Sequence, residues 1–473
     1  MGRLVVVSNR VGDVSRPTQT GGLAVAVADA LRESGGIWFG WNGETIAKDA
    51  SGDPDIGTHD GVTTIAIPLK KSDFEGYYDG YANSVLWPLF HYRLDLVNYR
   101  PAFFKAYLKV NDALAKALKP HLQDEDVIWA HDYHLIPFAG SLRRLGCRQR
   151  LGFFLHIPFP PPEILTASPN HAMLAEALLE FDVIGFQSST DLANFRRYVE
   201  ENGFGTTDGE TLKVGDRRIL AGRFPIGIDV DAFGELAQTA GDEVRIDKMR
   251  RDIIGRRQII GVDRLDYSKG IPDRFQAMDR LLEHHPELER KVTLLQIAPP
   301  TRQGIGAYAT IRKETEGLAG SINGKFADFD WTPIRYIHRT VPRDKLAALF
   351  RASDVGLVTP LRDGMNLVAK EYVAAQDPAN PGVLVLSQFA GAAEEMDEAL
   401  IVNPHDIDEM AVSLFTALAM PLEERRERHE ALNGRIRRYD VHHWARDFLR
   451  LLRETPAKGD SQPSCEEGRR SAA

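Results

Sequence analysis

Cysteine is nearly absent from this chain of 473 residues: only Cys147 and Cys465 occur. They lie too far apart to suggest a local disulfide framework, and such sparse usage fits a reducing compartment. Long apolar runs are missing as well. None reaches the ~18 residues needed to span a bilayer. The start, Met1-Gly2-Arg3-Leu4-Val5-Val6-Val7-Ser8, lacks the h-region and cleavage site of a signal peptide and reads as a strand. Nor is there an excess of basic charge. Against 67 Asp and Glu stand 58 Lys and Arg, a formal net charge of −9, which is not the footprint of a nucleic-acid binder. No G-x-x-x-x-G-K-S/T loop occurs, so P-loop nucleotide hydrolysis is unsupported, and no repeat recurs at a fixed period. The expectation is a soluble cytoplasmic protein with no membrane and no nucleic-acid partner. Its 43% hydrophobic and 26% charged residues are those of an ordinary globular chain, with room for two to four domains at roughly 100–200 residues each.

What is present is a regular alternation of short apolar strands and amphipathic helices, the pattern of parallel α/β sheets. The first series has strands predicted at Leu4–Ser8, Val127–Ala130, Leu151–His156 and Val183–Gln187, with Gly21-Gly22 opening a helix over Leu23–Leu31. A second series follows at Ile259–Val262, Val292–Ala298, Ile334–His338, Val355–Pro360, Val383–Ser387 and Leu400–Asn403, with helical stretches such as Arg274–His284 and Lys345–Ala352 between them. The two meet near Phe224-Pro225-Ile226-Gly227-Ile228-Asp229. This predicts two doubly wound domains, 1–225 and 226–455, with the last amphipathic helix, Trp444–Leu452, packing back on the first and 456–473 a disordered tail. In such folds the ligand sits beyond the carboxyl ends of the strands, and with two domains it sits in the cleft between them.

The residues able to do chemistry gather where predicted strands end. Asp132 lies in Trp129-Ala130-His131-Asp132-Tyr133-His134, and His156 precedes Ile157-Pro158-Phe159-Pro160-Pro161-Pro162-Glu163. Arg264 and Lys269 lie in Asp263-Arg264-Leu265-Asp266-Tyr267-Ser268-Lys269-Gly270, and Asp363 and Glu371 in the run from Pro360 to Glu371. An arginine fork and a lysine point charge suit phosphate, and carboxylates suit sugar hydroxyls. The Gly21-Gly22 pair would let backbone N–H groups approach an oxyanion. Taken singly, each has a plainer reading: a solvated loop for Arg264 and Lys269, a hydrogen-bonded core histidine for His156, a simple turn for the glycines. His131 and His134 lack further ligands to complete a metal shell and are read as structural. Trp38, Trp41 and Trp87 with Tyr77 and Tyr78 form either a sugar-stacking wall or core aromatics, with core the default for Trp38. Asp328-Phe329-Asp330-Trp331-Thr332 matches the D-x-D-x-T of phosphatases with an aspartyl nucleophile. The apolar strand that motif needs does not precede it, so it is read as a loop.

Together these segments resemble the trehalose-6-phosphate synthases, the retaining glycosyltransferases of family 20. The resemblance runs from residue 1 to about 455. It is strongest in Val6–Arg10, Gly35–Trp41, Leu86–Arg93, Trp129–His134, Phe153–Glu163, Asp263–Gly270 and Ser353–Gly391. It implies a GT-B fold, two Rossmann-like domains facing across a cleft, the first holding mainly acceptor and the second mainly nucleotide-sugar. By motif, Arg10, Tyr78, Trp87 and Arg302 resemble the group around the acceptor phosphate, and Asp132 the carboxylate on acceptor hydroxyls. Gly21 and Gly22 would approach the donor diphosphate, with Arg264 and Lys269 as its cationic clamp. His156 and Asp363 resemble the contacts to the transferred glucose. Glu371 resembles the carboxylate on the ribose, with Met365, Asn366, Leu367 and Val368 near it and the base. Pro161 stands where some members have Thr. Val341 occupies a position where an aromatic can flank the base, and so leaves UDP-, GDP- and ADP-glucose open.

The implied reaction transfers glucose from a nucleotide-glucose, foremost UDP-glucose, to glucose 6-phosphate by front-face attack, giving α,α-trehalose 6-phosphate with retention. No cofactor or metal is expected, since two cations would neutralise the leaving diphosphate, and a homo-oligomer, dimer or tetramer, is expected. Three alternatives stand beside it: a related transferase joining other partners, a non-catalytic regulatory homologue, and a synthase–phosphatase. The second should have lost charged site residues that are present here, and the third would need a long segment after residue 455.

Overall fold

A computed structural model describes residues 2–12, 27, 30–32, 35–47, 52–240, 255–302 and 304–456. Gly21, Gly22, most of the helix expected at Leu23–Leu31, and the tail from Ala457 onward lie outside the described residues.

The first sheet contains β1 (Leu4–Arg10), β2 (Gly36–Ile46), β3 (Asp55–His59), β4 (Val62–Lys70), β5 (Val127–His131), β6 (Arg150–Phe154), β7 (Val183–Phe186), β8 (Thr206–Asp208), β9 (Thr211–Val214) and β10 (Arg217–Arg223). Their order is β3-β4-β2-β1-β5-β6-β7-β10-β9-β8. The second contains β11 (Arg257–Val262), β12 (Val292–Ile297), β13 (Ile334–Ile337), β14 (Val355–Val358), β15 (Val383–Ser387) and β16 (Leu400–Val402), in the order β13-β12-β11-β14-β15-β16.

The central strands are parallel and covered on both faces, which is why they read as continuous apolar runs rather than alternating ones. In β1, Val5 and Val7 enter one core while Leu4 and Val6 enter the other. The first sheet is not wholly parallel, however. Strand β3 pairs antiparallel with β4, and β8, β9 and β10 form an antiparallel meander at the other edge. Strand β3 is exposed at every residue and β8 and β9 are only three and four residues long, so none carries the apolar run that marks a buried strand.

Strand order reverses beside β1 and again beside β11. The connections leaving β1 and β5 therefore part at one switch point and those leaving β11 and β14 at the other, and ligands of doubly wound sheets bind at such crevices. The last helix, Val441–Glu454, returns to the first sheet. Trp444 and Phe448 pack on Trp129 with ring centroids 4.9 and 4.7 Å apart. Gly152 in β6 makes room, since a Cβ there would fall 2.8 Å from the Phe448 ring.

Candidate active site

The first wall of the cleft comes from loops after β1 and β5 and from a wide π-helix, Glu75–Leu86, a geometry often found at functional sites. Arg10 is exposed at the end of β1, its guanidinium lying over Gly43. The π-helix brings Tyr77 to Asn9, with a 2.8 Å hydrogen bond from its hydroxyl to Asn9 Oδ1. It also stacks Tyr78 on His134, centroids 5.7 Å apart. Trp87 follows, buried. Asp132 ends β5 in a left-handed backbone conformation, φ 75°, and accepts from the His156 N–H at 3.2 Å. Burial pushes its carboxyl up to about 6, even though N–H groups of Tyr133 and His156 and the charges of Arg302 and Arg264 pull the other way.

The second wall rises from the loops after β11, β12 and β14. Arg302 crosses the cleft: its guanidinium sits 3.7 Å from the centroid of Trp87 and donates to the Tyr133 hydroxyl at 3.1 Å. It also donates to Tyr308 at 2.7 Å and to Asp266 at 3.1 Å. Asp266, fully buried, accepts from Ser268, Tyr308 and Trp87 as well. Burial alone would raise its carboxyl, but Arg302, the Ser268 N–H and Arg264 bring it down to about 2. Arg264 is exposed, 5.6 Å from the Trp87 centroid, with no hydrogen bond or ion pair to any described residue. Among the described residues it is a cation with no ion-pair partner, and its charge pulls the carboxyls of Asp132 and Asp266 down.

Lys269 is buried and pairs with Asp363 at 2.5 Å. Asn366 Nδ2 reaches the same carboxylate oxygen at 3.0 Å. Asn366 is left-handed, φ 74°, as is Arg302, φ 43°. Three of the six described non-glycine residues with positive φ thus lie in this cleft, the kind of local strain that functional sites store. Helix Leu367–Ala375 starts directly after Asn366. Leu367 and Val368 form its first turn, where N–H groups have no partner within the helix. Met365 is buried below, its carbonyl bonded to the Ala392 N–H at 2.9 Å. Glu371, one turn on, lies 3.7 Å from Arg343, and burial pushes its carboxyl up to about 7 against that charge. Val341 is half-buried at the start of the segment leading to Arg343.

The two walls touch where Gly364 meets His156. A Cβ on Gly364 would fall 2.1 Å from the His156 carbonyl oxygen, so only glycine permits the approach. His156 bonds His131 at 3.1 Å, and burial lowers its imidazole to about 3, which keeps it neutral at ordinary pH.

The structure thus gathers Tyr78, Trp87, Asp132, His156, Arg264, Lys269, Arg302, Asp363, Met365 and Asn366 about one cleft. Arg10 stands at its rim without touching the others, and Gly21 and Gly22 fall outside the described residues. His131 and His134 pack among aromatic rings; His131 Nδ1 bonds His156, whereas neither ring nitrogen of His134 has a hydrogen-bond partner among the described residues. Trp38 donates to Ser8 from the core. Asp328 and Asp330 sit in an exposed turn gripped by Arg290 and Arg256. Sequence reasoning passed over Asp266, Tyr133, Tyr308 and above all Arg274. That arginine is fully buried and bonds Asp263 at 2.7 Å, Thr359 at 3.0 Å and the Lys269 carbonyl at 3.0 Å. It anchors the loop that carries both donor-side cations, and no local pattern marks it apart from an ordinary helix arginine.

Two Rossmann-like domains facing across a cleft with this lining define a GT-B glycosyltransferase. The chain belongs to glycosyltransferase family 20, whose model matches residues 8–454. A trehalose-6-phosphate synthase of Citrobacter koseri is 48% identical over 96% of both chains. The Burkholderia xenovorans α,α-trehalose-phosphate synthase (UDP-forming), solved in complex with glucose-6-phosphate, is 51% identical. That match covers 95% of this chain and all of the other, with a TM-score of 0.92. An E. coli structure described as bound with UDP-2-fluoro glucose is 46% identical with a TM-score of 0.93, covering 97% of this chain and all of that one.

Proposed function

We propose that this chain transfers glucose from UDP-glucose to glucose 6-phosphate and releases α,α-trehalose 6-phosphate with retention, the first step of trehalose biosynthesis. The observation that carries the reading is the meeting, across one cleft, of the Asp132–Trp87–Arg302 group with the Lys269–Asp363 pair and Arg264. Relatives solved with glucose-6-phosphate and with a UDP-sugar analogue support it.

In this reading residues 1–225 hold mainly acceptor and 226–455 mainly donor. Arg10, Tyr78, Trp87 and Arg302 surround the acceptor phosphate, and Asp132 takes acceptor hydroxyls. Gly21 and Gly22 approach the diphosphate, clamped by Arg264 and Lys269. His156 and Asp363 orient the transferred glucose. Glu371 binds the ribose, with Val341, Met365, Asn366, Leu367 and Val368 around ribose and base. The acceptor oxygen bonds to the donor's anomeric carbon on the face from which the diphosphate departs. As the bond from that carbon to the leaving oxygen breaks, the diphosphate takes the acceptor's proton. Negative charge grows on the leaving group, and Arg264 and Lys269 stabilise it as donors of an oxyanion hole would. A closed cleft excludes water and so suppresses donor hydrolysis. The reading includes a homo-oligomer, dimer or tetramer, acting in the cytoplasm.

The test is nucleotide release from UDP-, GDP- and ADP-glucose with glucose 6-phosphate, in excess EDTA. Turnover should be fastest with UDP-glucose and persist under chelation. Complete loss on chelation, restored by Mg²⁺, would contradict the two-cation clamp.

Glu371 gives a second test. Its carboxyl is raised from an ordinary 4.5 to about 7 in the folded chain, so its protonated form is the one folding favours. That stability is present below the unfolded value and is lost as pH rises through about 7. Glu371→Gln should therefore melt higher than the parent at pH 8 but not at pH 4. Its KM for the nucleotide-sugar should rise roughly 10- to 100-fold, the loss of one charge-assisted hydrogen bond. Thermal melts at both pH values and donor titrations check it, and an unchanged KM would remove Glu371 from the donor site.

A further inference from the structure

One residue of the segment joining the two domains, Ile226, is gripped on both sides of its Cα. The Ile226 N–H donates to Gln187 Oε1, just past the end of β7, at 3.0 Å. The Ile226 carbonyl accepts from Lys370 Nζ at 2.8 Å, and Lys370, on helix Leu367–Ala375, also pairs with Glu395 at 2.8 Å. Gln187 and Lys370 are each 1% exposed and Ile226 2%, so water does not compete for these bonds.

The orientation of the Gln187 amide follows. A backbone N–H can only donate, so the amide oxygen faces Ile226 and the NH2 faces away. That NH2 lies 3.4 Å from His156 Nδ1. It too can only donate, so Nδ1 bears the lone pair and the proton of the neutral ring sits on Nε2. His156 Nε2–H then donates to His131 Nδ1 at 3.1 Å. His131 keeps its own proton on Nε2, which is buried without a hydrogen-bond partner among the described residues. The other tautomer would set Nδ1–H against the amide NH2, leaving two buried donors facing each other.

We propose that Gln187 is a positioning residue: seated by the interdomain peptide at Ile226, it fixes which nitrogen of His156 carries the proton. A sugar hydroxyl arriving at Nδ1 then meets a lone pair, which it shares with the long 3.4 Å bond from Gln187 as a three-centre acceptor. Because Lys370 holds the carbonyl of the same residue, the setting of His156 depends on both domains being in place. The kinetic part rests on the reading that His156 contacts the transferred glucose; the tautomer part does not.

The experiment uses the full chain with ¹⁵N-labelled histidine. Long-range ¹H–¹⁵N spectra report the tautomer of each neutral imidazole, with His156 assigned from the signals missing in His156→Gln. The unsubstituted protein should show His156 protonated on Nε2. Gln187→Glu keeps the shape and still accepts from Ile226, but turns a carboxylate oxygen to Nδ1. The proton should move to Nδ1, and kcat for transfer should fall roughly tenfold, the loss of one hydrogen bond in the transition state. His156 protonated on Nδ1 in the parent would overturn the proposal, and that spectrum needs no variant to fold. So would an Nε2 proton retained in a folded Gln187→Glu. A tautomer that switches while transfer is unaffected would uphold the relay and remove His156 from the sugar contacts.

Discussion

Arg264→Ala and Lys269→Ala should each lower kcat by roughly 10²–10³-fold, the loss typical of deleting one donor from an oxyanion hole. Both act on one leaving group, so the double variant should lose less than the product of the singles. The two should part company in stability. Arg264 is exposed and bonds no described residue, so its removal should leave the melting temperature nearly unchanged. Lys269 and Asp363 have side chains 9% and 13% exposed and form one ion pair. Removing Lys269 leaves the Asp363 carboxylate with only Asn366 among the described residues, and breaking such a buried pair costs roughly 3–5 kcal/mol. Steady-state kinetics beside thermal melts will tell. Near-normal kcat in Arg264→Ala would show that this cation does not face the reacting diphosphate.

Free glucose should be poorer than glucose 6-phosphate by at least about a hundredfold in kcat/KM. Two charge-assisted hydrogen bonds, at about 1.5–3 kcal/mol each, are missing without the phosphate. Arg10→Ala is the cleaner probe, because Arg10 is exposed and its side chain forms no hydrogen bond or ion pair with a described residue; it should raise the KM for glucose 6-phosphate. Arg302→Ala should do the same and spare slow donor hydrolysis, since water needs no phosphate anchor. It should also destabilise the fold, because Asp266 would stay buried without its main counter-charge. The Asp266 carboxyl is held at about 2, below its unfolded value, so it contributes stability above that value which is lost as pH falls towards 2. Without Arg302 that acid limb should move to higher pH. Comparable efficiency with glucose and glucose 6-phosphate would remove both arginines from the acceptor site.

Much of this architecture was legible because parallel strands buried on both faces must be apolar throughout. Val383–Ser387 was predicted with its observed limits, and the strand expected over Leu151–His156 runs from Arg150 to Phe154. Beyond Phe154 the His156 N–H no longer joins the ladder but donates to the Asp132 carboxylate. The helix predicted from Arg274 begins earlier, at Ile271, since Pro272 is tolerated in a first turn. The exposed strand β3 and the short β8 and β9 carried no such signal. Motif resemblance singled out the side chains that line the cleft, but not what holds them. Arg302 meets Tyr133 across 169 positions, and Lys269 meets Asp363 across 94. The first pairing exists only once both domains have come together, and the second only once the loops after β11 and β14 have folded against each other. For the same reason Asp266, Tyr308 and Arg274, whose work is to brace other groups, stayed hidden.

The most direct measurement is the structure of the product. The protein, UDP-glucose and glucose 6-phosphate, followed by ¹H NMR, should give UDP and a disaccharide phosphate with both anomeric centres α and joined 1,1. A β centre at the transferred glucose would contradict front-face retention. Release of UDP with free glucose alone, and no disaccharide, would contradict the transfer itself.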